Sequence, residues 1–119
     1  DYGISWLLTR TVGPMRAREL MFTSEKVGAE RCEQIGLVNR VVDDAKLQDE
    51  AFAFARSLAE GPRVALRHMK ENLDEALHIN YSDAHYREAE RLVQSSRTAD
   101  HKEAVASFVE KRKPVFKGR

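Results

Sequence analysis

The sequence predicts a mainly α-helical chain with one short strand. Apolar residues recur at helical spacing from residue 47 onwards, and Gly-Pro pairs at residues 13–14 and 61–62 separate helical segments. Only residues 37–42 are rich enough in β-branched side chains to form a strand. A single strand leaves its backbone groups unpaired, so its partners are expected to lie outside these 119 residues.

The first part of the chain is predicted to contain three short helices. Ser5 is the predicted N-cap of a helical segment over residues 5–23, which the first Gly-Pro pair divides into two helices at an angle. A third helix over residues 29–35 ends at Gly36, and the strand follows at residues 37–42.

The second part is predicted to consist of amphipathic helices. Their apolar stripes are Leu47, Ala51, Phe54, Ala55 and Leu58; Leu66, Met69, Leu73, Ala76 and Leu77; and Tyr81, Ala84, His85, Ala89, Leu92 and Val93. Thr98 is the predicted N-cap of a last helix, which carries a narrow apolar patch. These apolar faces exceed what the chain alone can cover, which predicts packing against another domain or subunit.

Composition restricts the class of protein. With 20 basic and 19 acidic side chains the net charge is +1, so no global field attracts nucleic acid or a membrane surface. No apolar run approaches the roughly 20 residues that span a bilayer, and no signal peptide is visible, so we expect a cytoplasmic or organelle-matrix protein without membrane partners. The lone Cys32 is interpreted as a buried structural thiol. The start at Asp1, without an initiator Met, indicates a fragment.

The C-terminal residues carry the main clue to a ligand. Residues 108–119 contain five cations and two phenyl rings but only one acidic residue. Ammonium groups pair with phosphate oxygens and phenyl faces stack on flat heterocycles, so this tail suits a nucleic acid or a nucleotide-based cofactor. The alternative is a solvated basic tail that frays.

Three segments, in this order and spacing, resemble the enoyl-CoA hydratase/isomerase (crotonase) superfamily. They are D-x-G-x-S-W-L-L-x-R-x-x-G at residues 1–13, A-x-x-C-x-x-I-G-L-V-N-R-V-V at residues 29–42, and D-H-x-E-A-x-x-x-F-x-E-K-R-K-P-x-F-x-G at residues 100–118. The resemblance implies a truncated α/β crotonase-like (ClpP/crotonase) fold, of which this chain is the C-terminal portion. Residues 1–46 would end the spiral core, and residues 47–119 would form a helical region that builds homotrimers or hexamers.

The resemblance also implies enoyl-CoA chemistry. Reactions of this family pass through a thioester enolate, which requires N–H donors for its oxygen and a carboxylate to move a proton. Asp1 matches the position of a proton-shuttling base in isomerase-like members, Gly3 would turn the backbone near the substrate, and Trp6 would line the acyl pocket. The alternatives are a solvated Asp1, an ordinary turn glycine and a core indole. The acyl-CoA thioester is the expected substrate, with no separate cofactor.

Phe108 and Lys111 are the predicted contacts to the CoA nucleotide. The resemblance places Phe108 against the adenine and Lys111 on the 3′-phosphate, and residues three apart on a helix share a face. The alternative is a core phenyl ring and a solvated lysine. Arg112 and Lys113 are interpreted as surface charges or salt-bridge partners.

No metal site is predicted, because the four histidines show no metal-binding spacing and are interpreted as surface or interface residues. Two other classes of function stay open. One is a non-catalytic assembly module. The other is a nucleic-acid-binding helical protein that uses the basic tail; the near-zero net charge and the single basic cluster disfavour it, so no nucleic-acid partner is expected. The isolated 119-residue chain is expected to be inactive as an enzyme.

Overall fold

The computed structural model describes residues 2–119, which form seven α-helices and one short 3₁₀ helix. In chain order these are α1 (Ile4–Val12), α2 (Pro14–Thr23), α3 (Ala29–Gln34), the 3₁₀ helix (Asp44–Lys46), α4 (Leu47–Ala59), α5 (Arg63–Ala76), α6 (Tyr81–Ser96) and α7 (Ala99–Val109). The chain divides into two compact units, and the boundary lies between Glu50 and Ala51, inside α4.

The first unit contains a small apolar core. Its buried apolar side chains lie on α1, on α2 and just after α3, and they are Leu8, Val12, Ala17 and Ile35, with Leu20 packed against them. The predicted bend between α1 and α2 is present, because Gly13 has φ +82° and Pro14 occupies the first position of α2. Burial of Leu8, Val12 and Ile35 in this core contributes roughly 1.5–3 kcal/mol for each side chain.

The predicted end of α3 at Gly36 is confirmed as a Schellman motif. The N–H of Gly36 donates to the carbonyl of Glu33 at 3.0 Å, and the N–H of Leu37 donates to the carbonyl of Cys32 at 2.8 Å. Gly36 has φ +76°, a left-handed conformation that glycine adopts without a Cβ penalty. The motif therefore turns the chain sharply after α3.

Several local predictions for the first unit are wrong. Residues 37–42 form bends and irregular structure instead of a strand, because no strand in residues 2–119 offers a partner, and the Val41 N–H donates to the Glu33 carboxylate at 3.2 Å. Ser5 is not the N-cap, since α1 begins one residue earlier after Gly3. The Cys32 thiol is only partly buried.

The second unit contains an antiparallel pair, α5 and α6. Side-chain bonds join His68 to Ser95 and Arg91 to Asn72 and Glu75, so residues later in α5 meet residues earlier in α6. The buried side chains described in this unit are all polar, namely His68, Asp100 and Ser107. Hydrogen bonds and ion pairs therefore link α5 to α6, while large apolar side chains of these helices are exposed.

None of the helices in residues 2–119 is long and apolar enough to cross a membrane.

Candidate functional site

The predicted nucleotide contacts lie at the C-terminal end of α7. Thr98 caps the start of this helix as predicted, since its hydroxyl accepts the N–H of His101 at 3.1 Å. At the other end, the helix closes in a second Schellman motif: the N–H of Lys111 donates to the Phe108 carbonyl (3.3 Å), and the N–H of Arg112 donates to the Ser107 carbonyl (3.0 Å). The motif joins Phe108 and Lys111 directly through their backbones.

Lys111 occupies the motif position that glycine usually takes. Its φ is +54°, a left-handed conformation that costs a residue with a Cβ about 1–2 kcal/mol. The expectation that Lys111 lies on the helix with Phe108 is wrong, because α7 ends at Val109. Phe108 is 85% exposed, so the alternative of a core phenyl ring does not hold within this chain.

The residue after Lys111 is held by two carboxylates, which confirms that Arg112 is a salt-bridge partner. Its two terminal nitrogens donate to the two oxygens of Glu103, and its Nε donates to Glu110. Glu103 also accepts the N–H of Val115 at 2.9 Å. The hydrogen bonds from Arg112, and then that from Val115, lower the pKa of Glu103 to about 2, while the pKa of Arg112 is raised.

A buried carboxylate anchors the rest of the tail. Asp100 is only 2% exposed, and its two oxygens accept the N–H groups of Lys117 at 2.7 Å and Gly118 at 2.8 Å. Its own N–H donates to the Arg119 carbonyl at 3.1 Å. The tail therefore folds back along α7, and the alternative of a fraying tail does not describe residues 112–119.

The other predicted substrate contacts belong to the first unit. Gly3 has φ +91° and precedes α1, so the tight turn is present, while its contact with substrate stays a prediction. Trp6 is 46% exposed and lies under the Arg10 guanidinium, 3.9 Å from the ring centroid, so the alternative of a core indole is wrong within this chain. The catalytic candidate Asp1 lies outside the described residues.

Metal ligation finds no support in residues 2–119, where no three His, Cys, Asp or Glu side chains are arranged to hold an ion. His68 corrects the interpretation of the histidines as surface or interface residues, because it is 5% exposed. Its Nδ1 lies 2.8 Å from Ser95 Oγ, and its Nε2 lies 3.3 Å from Arg67 Nη2. A guanidinium only donates, so Nε2 accepts and Nδ1 carries the proton that is donated to Ser95.

Comparison with known proteins identifies the family. The model of the enoyl-CoA hydratase/isomerase family matches residues 1–119. The chain belongs to this family. Among its relatives, "Probable enoyl-CoA hydratase EchA12" of Mycobacterium tuberculosis is 40% identical over 119 residues, which are 98% of this chain and 41% of that protein. The 1,2-epoxyphenylacetyl-CoA isomerase of Escherichia coli is 36% identical, over 100% of this chain and 45% of that protein.

Solved structures of the hydratase/isomerase family share the fold of the chain. An enoyl-CoA hydratase subunit I from Geobacillus kaustophilus gives a TM-score of 0.92 at 37% identity, covering 100% of this chain and 46% of that one. The enoyl-CoA hydratase from Bacillus anthracis gives 0.91 at 29% identity, covering 98% and 45%. The chain thus shares the fold of the matching part of these crotonase-like structures and spans less than half the length of the curated relatives it matches.

Two residues that organise the C-terminal tail were not predicted as functional from the sequence. Asp100 and Glu103 belong to the third motif, which assigned them no role, yet their carboxylates accept hydrogen bonds from the C-terminal tail. Their spacing of three residues places them on one face of α7. Two acidic residues on one face of a helix that precedes a basic C-terminal tail are a signal that could have indicated that both bind this tail.

Proposed function

We propose that this chain is the C-terminal part of an acyl-CoA-processing enzyme of the hydratase or isomerase type, in which the end of α7 binds the nucleotide of CoA. Family membership supports the class of substrate. The observation that carries the nucleotide site is the left-handed conformation of Lys111 at a glycine position. Backbone strain of this kind clusters at ligand-binding sites and persists where the surrounding structure holds it.

Lys111 suits the 3′-phosphate of CoA. Its side chain is exposed, whereas the neighbouring guanidinium of Arg112 is already occupied by Glu103 and Glu110. An exposed ammonium forms charge-assisted bonds to phosphate oxygens and repositions readily around them. The backbone at Lys111 is restrained, because the tail that follows it is hydrogen-bonded to Glu103 and Asp100 of α7.

Phe108 suits the adenine ring. An exposed phenyl group on the last turn of α7 offers a flat apolar face beside the start of the basic tail. Stacking of a base on an aromatic ring contributes roughly 1–3 kcal/mol and does not depend on hydrogen-bond recognition. Adjacent aromatic and cationic groups therefore match the two chemical parts of an adenosine 3′-phosphate.

The reaction we propose is thioester enolate chemistry, either hydration or isomerisation, in the complete protein. Asp1 would shuttle the proton as the base, and Gly3 and Trp6 would shape the acyl site. Preorganised N–H donors for the enolate oxygen are required as well, and we propose that they come from chain outside these 119 residues. On this proposal the isolated chain is inactive.

Calorimetric titration of the intact protein with CoA and with 3′-dephospho-CoA tests the nucleotide site. We expect wild type to prefer CoA, and Lys111→Ala to reduce this preference by about fivefold to tenfold through loss of the charge-assisted bond. Phe108→Ala should weaken both ligands equally. Lys113→Ala is the matched control and should retain the preference. If Lys111→Ala and Lys113→Ala have the same effect, the assignment of the phosphate to Lys111 is wrong.

A second candidate function is assembly without catalysis. It is favoured by the second unit, whose described buried side chains are all polar while Met69, Leu73 and Leu92 are exposed. Such apolar faces are typical of subunit interfaces. Discrete trimers in light scattering, combined with no affinity for CoA, would favour this function over the enzymatic one.

A further inference from the structure

The environment of Lys111 contains a residue pair, Glu103 and Arg112, that restrains its backbone conformation. Arg112 is bonded to α7 twice: its N–H donates to the Ser107 carbonyl at 3.0 Å, and its guanidinium forms a two-pronged bond to Glu103. The Nη2 to Oε2 distance of that bond is 3.0 Å. Both the backbone and the side chain of the residue after Lys111 are therefore tied to the helix.

Glu103 is the centre of this arrangement. Oε1 accepts from both Arg112 and the N–H of Val115, at 2.9 Å for the latter, and Oε2 accepts the second Arg112 nitrogen. One carboxylate thereby holds the tail at two points, one and four residues beyond Lys111. Lys111 is left in the short turn between the helix end and these two points.

This restraint opposes the intrinsic preference of the Lys111 backbone. A residue with a Cβ leaves the left-handed region when it is released, because the Cβ crowds the following carbonyl. The Schellman bonds from Lys111 and Arg112 to α7 close only while that conformation is kept. The Glu103–Arg112 pair therefore stabilises the conformation that directs the Lys111 ammonium.

We infer that Glu103, acting through Arg112, is a positioning residue that aims Lys111 at the phosphate of the nucleotide. This inference rests on the proposed function, because it needs Lys111 to bind that phosphate. Glu103 is not a ligand contact in this inference. Its carboxylate is occupied by tail donors, and its negative charge would repel a phosphate.

The test compares two carboxylates that bond arginine in the same way. Glu103→Gln removes the charge that holds Arg112, and Glu75→Gln removes the corresponding partner of Arg91, which lies between α5 and α6. The dissociation constants of CoA and 3′-dephospho-CoA are measured for each variant of the intact protein. We expect Glu103→Gln to reduce the preference for CoA by about fivefold while the affinity for 3′-dephospho-CoA is unchanged, and Glu75→Gln to retain the preference.

Three further results decide between the two proposals. In a Lys111→Ala background, Glu103→Gln should cause no additional loss of preference, because the residues act as one unit. If Lys111→Ala loses the preference but Glu103→Gln retains it, the positioning role is overturned and the proposed function stands. If wild type itself shows no preference, both are overturned. Arg112→Lys, which keeps the charge but loses the two-pronged geometry, replaces Glu103→Gln if that variant does not fold, with the same expected loss.

Discussion

Lys111 and Gly36 occupy the same position in two Schellman motifs of one chain. Both have positive φ, +54° for Lys111 and +76° for Gly36, and both motifs contain the same pair of backbone bonds. At Gly36 the local chemistry agrees with the backbone, because glycine has no Cβ to crowd the next carbonyl. At Lys111 the side chain disfavours the backbone conformation, because its Cβ crowds the next carbonyl. The family resemblance places this residue on a phosphate. Conflicts of this kind are expected at functional sites.

Lys111→Gly should raise stability and weaken binding at the same time. Relief of the left-handed conformation gains about 1–2 kcal/mol, and the greater chain entropy of glycine removes roughly 0.5–1 kcal/mol of that. The free energy of unfolding should therefore rise by about 0.5–1 kcal/mol, seen as a higher urea midpoint at unchanged m-value. The preference for CoA over 3′-dephospho-CoA should fall as in Lys111→Ala.

Gly36→Ala is the matched control for this prediction. A Cβ at Gly36 would meet nothing within 4 Å, so only the backbone conformation decides the outcome. The free energy of unfolding should fall by about 0.5–1 kcal/mol, opposite in sign to Lys111→Gly. Equal signs for the two substitutions would show that the left-handed conformation of Lys111 is not strained.

The buried bond between His68 and Ser95 yields a second prediction at this scale. Ser95→Ala removes the acceptor of the Nδ1 proton and should lower the free energy of unfolding by about 1–3 kcal/mol, measured by urea denaturation. Ser96→Ala is the control, because Ser96 is exposed and bonds only the Val93 carbonyl of its own helix. It should change stability by less than about 0.5 kcal/mol. Similar effects at both positions would mean that the His68 bond contributes little.

At the scale of single elements, the sequence predicted the helices well and the non-helical segment poorly. Pro14, Gly36 and Thr98 bound helices as expected, because each acts through its own backbone or side chain. The strand at residues 37–42 was predicted from β-branched side chains, but pairing needs a neighbour, and within residues 2–119 none is present. Propensity alone does not supply that partner.

The arginine-bonded carboxylates predict acid sensitivity of the second unit. Bonds from Arg91 lower the pKa of Glu75 from 4.5 to about 2, and bonds from Arg112 lower that of Glu103 to the same value. Because the folded pKa lies below the unfolded one, this stability is fully present above pH 4.5 and is lost as the pH falls towards 2. Urea midpoints measured across this range should decline in wild type and decline less in the Glu75→Gln, Glu103→Gln double variant. Equal declines of the urea midpoint in wild type and in the double variant would contradict the assignment of the acid sensitivity to Glu75 and Glu103.

At the scale of the whole molecule, the family could be predicted from three motifs, whereas the organisation of the tail could not. The order and spacing of these three motifs made the resemblance specific. The role of Asp100 depends on backbone N–H groups 17 and 18 residues away, and no local pattern shows that they return to α7. Contacts between residues this far apart depend on tertiary packing, which the sequence of a single segment does not determine.

The exposed apolar face of α5 predicts how the protein assembles. Leu73 is 71% exposed, and Met69 on the same helix and Leu77 directly after it are exposed too, so association through this face would bury them. Leu73→Glu should weaken association by about tenfold or more, because it removes apolar burial and places a charge in the interface. Lys70→Glu, an exposed change on the same helix, should leave the molar mass of the assembly unchanged. Light scattering over a range of concentrations measures both variants. An unaltered mass for Leu73→Glu would exclude this face of α5 as the interface and leave the apolar surfaces of α4 and α6 as candidates.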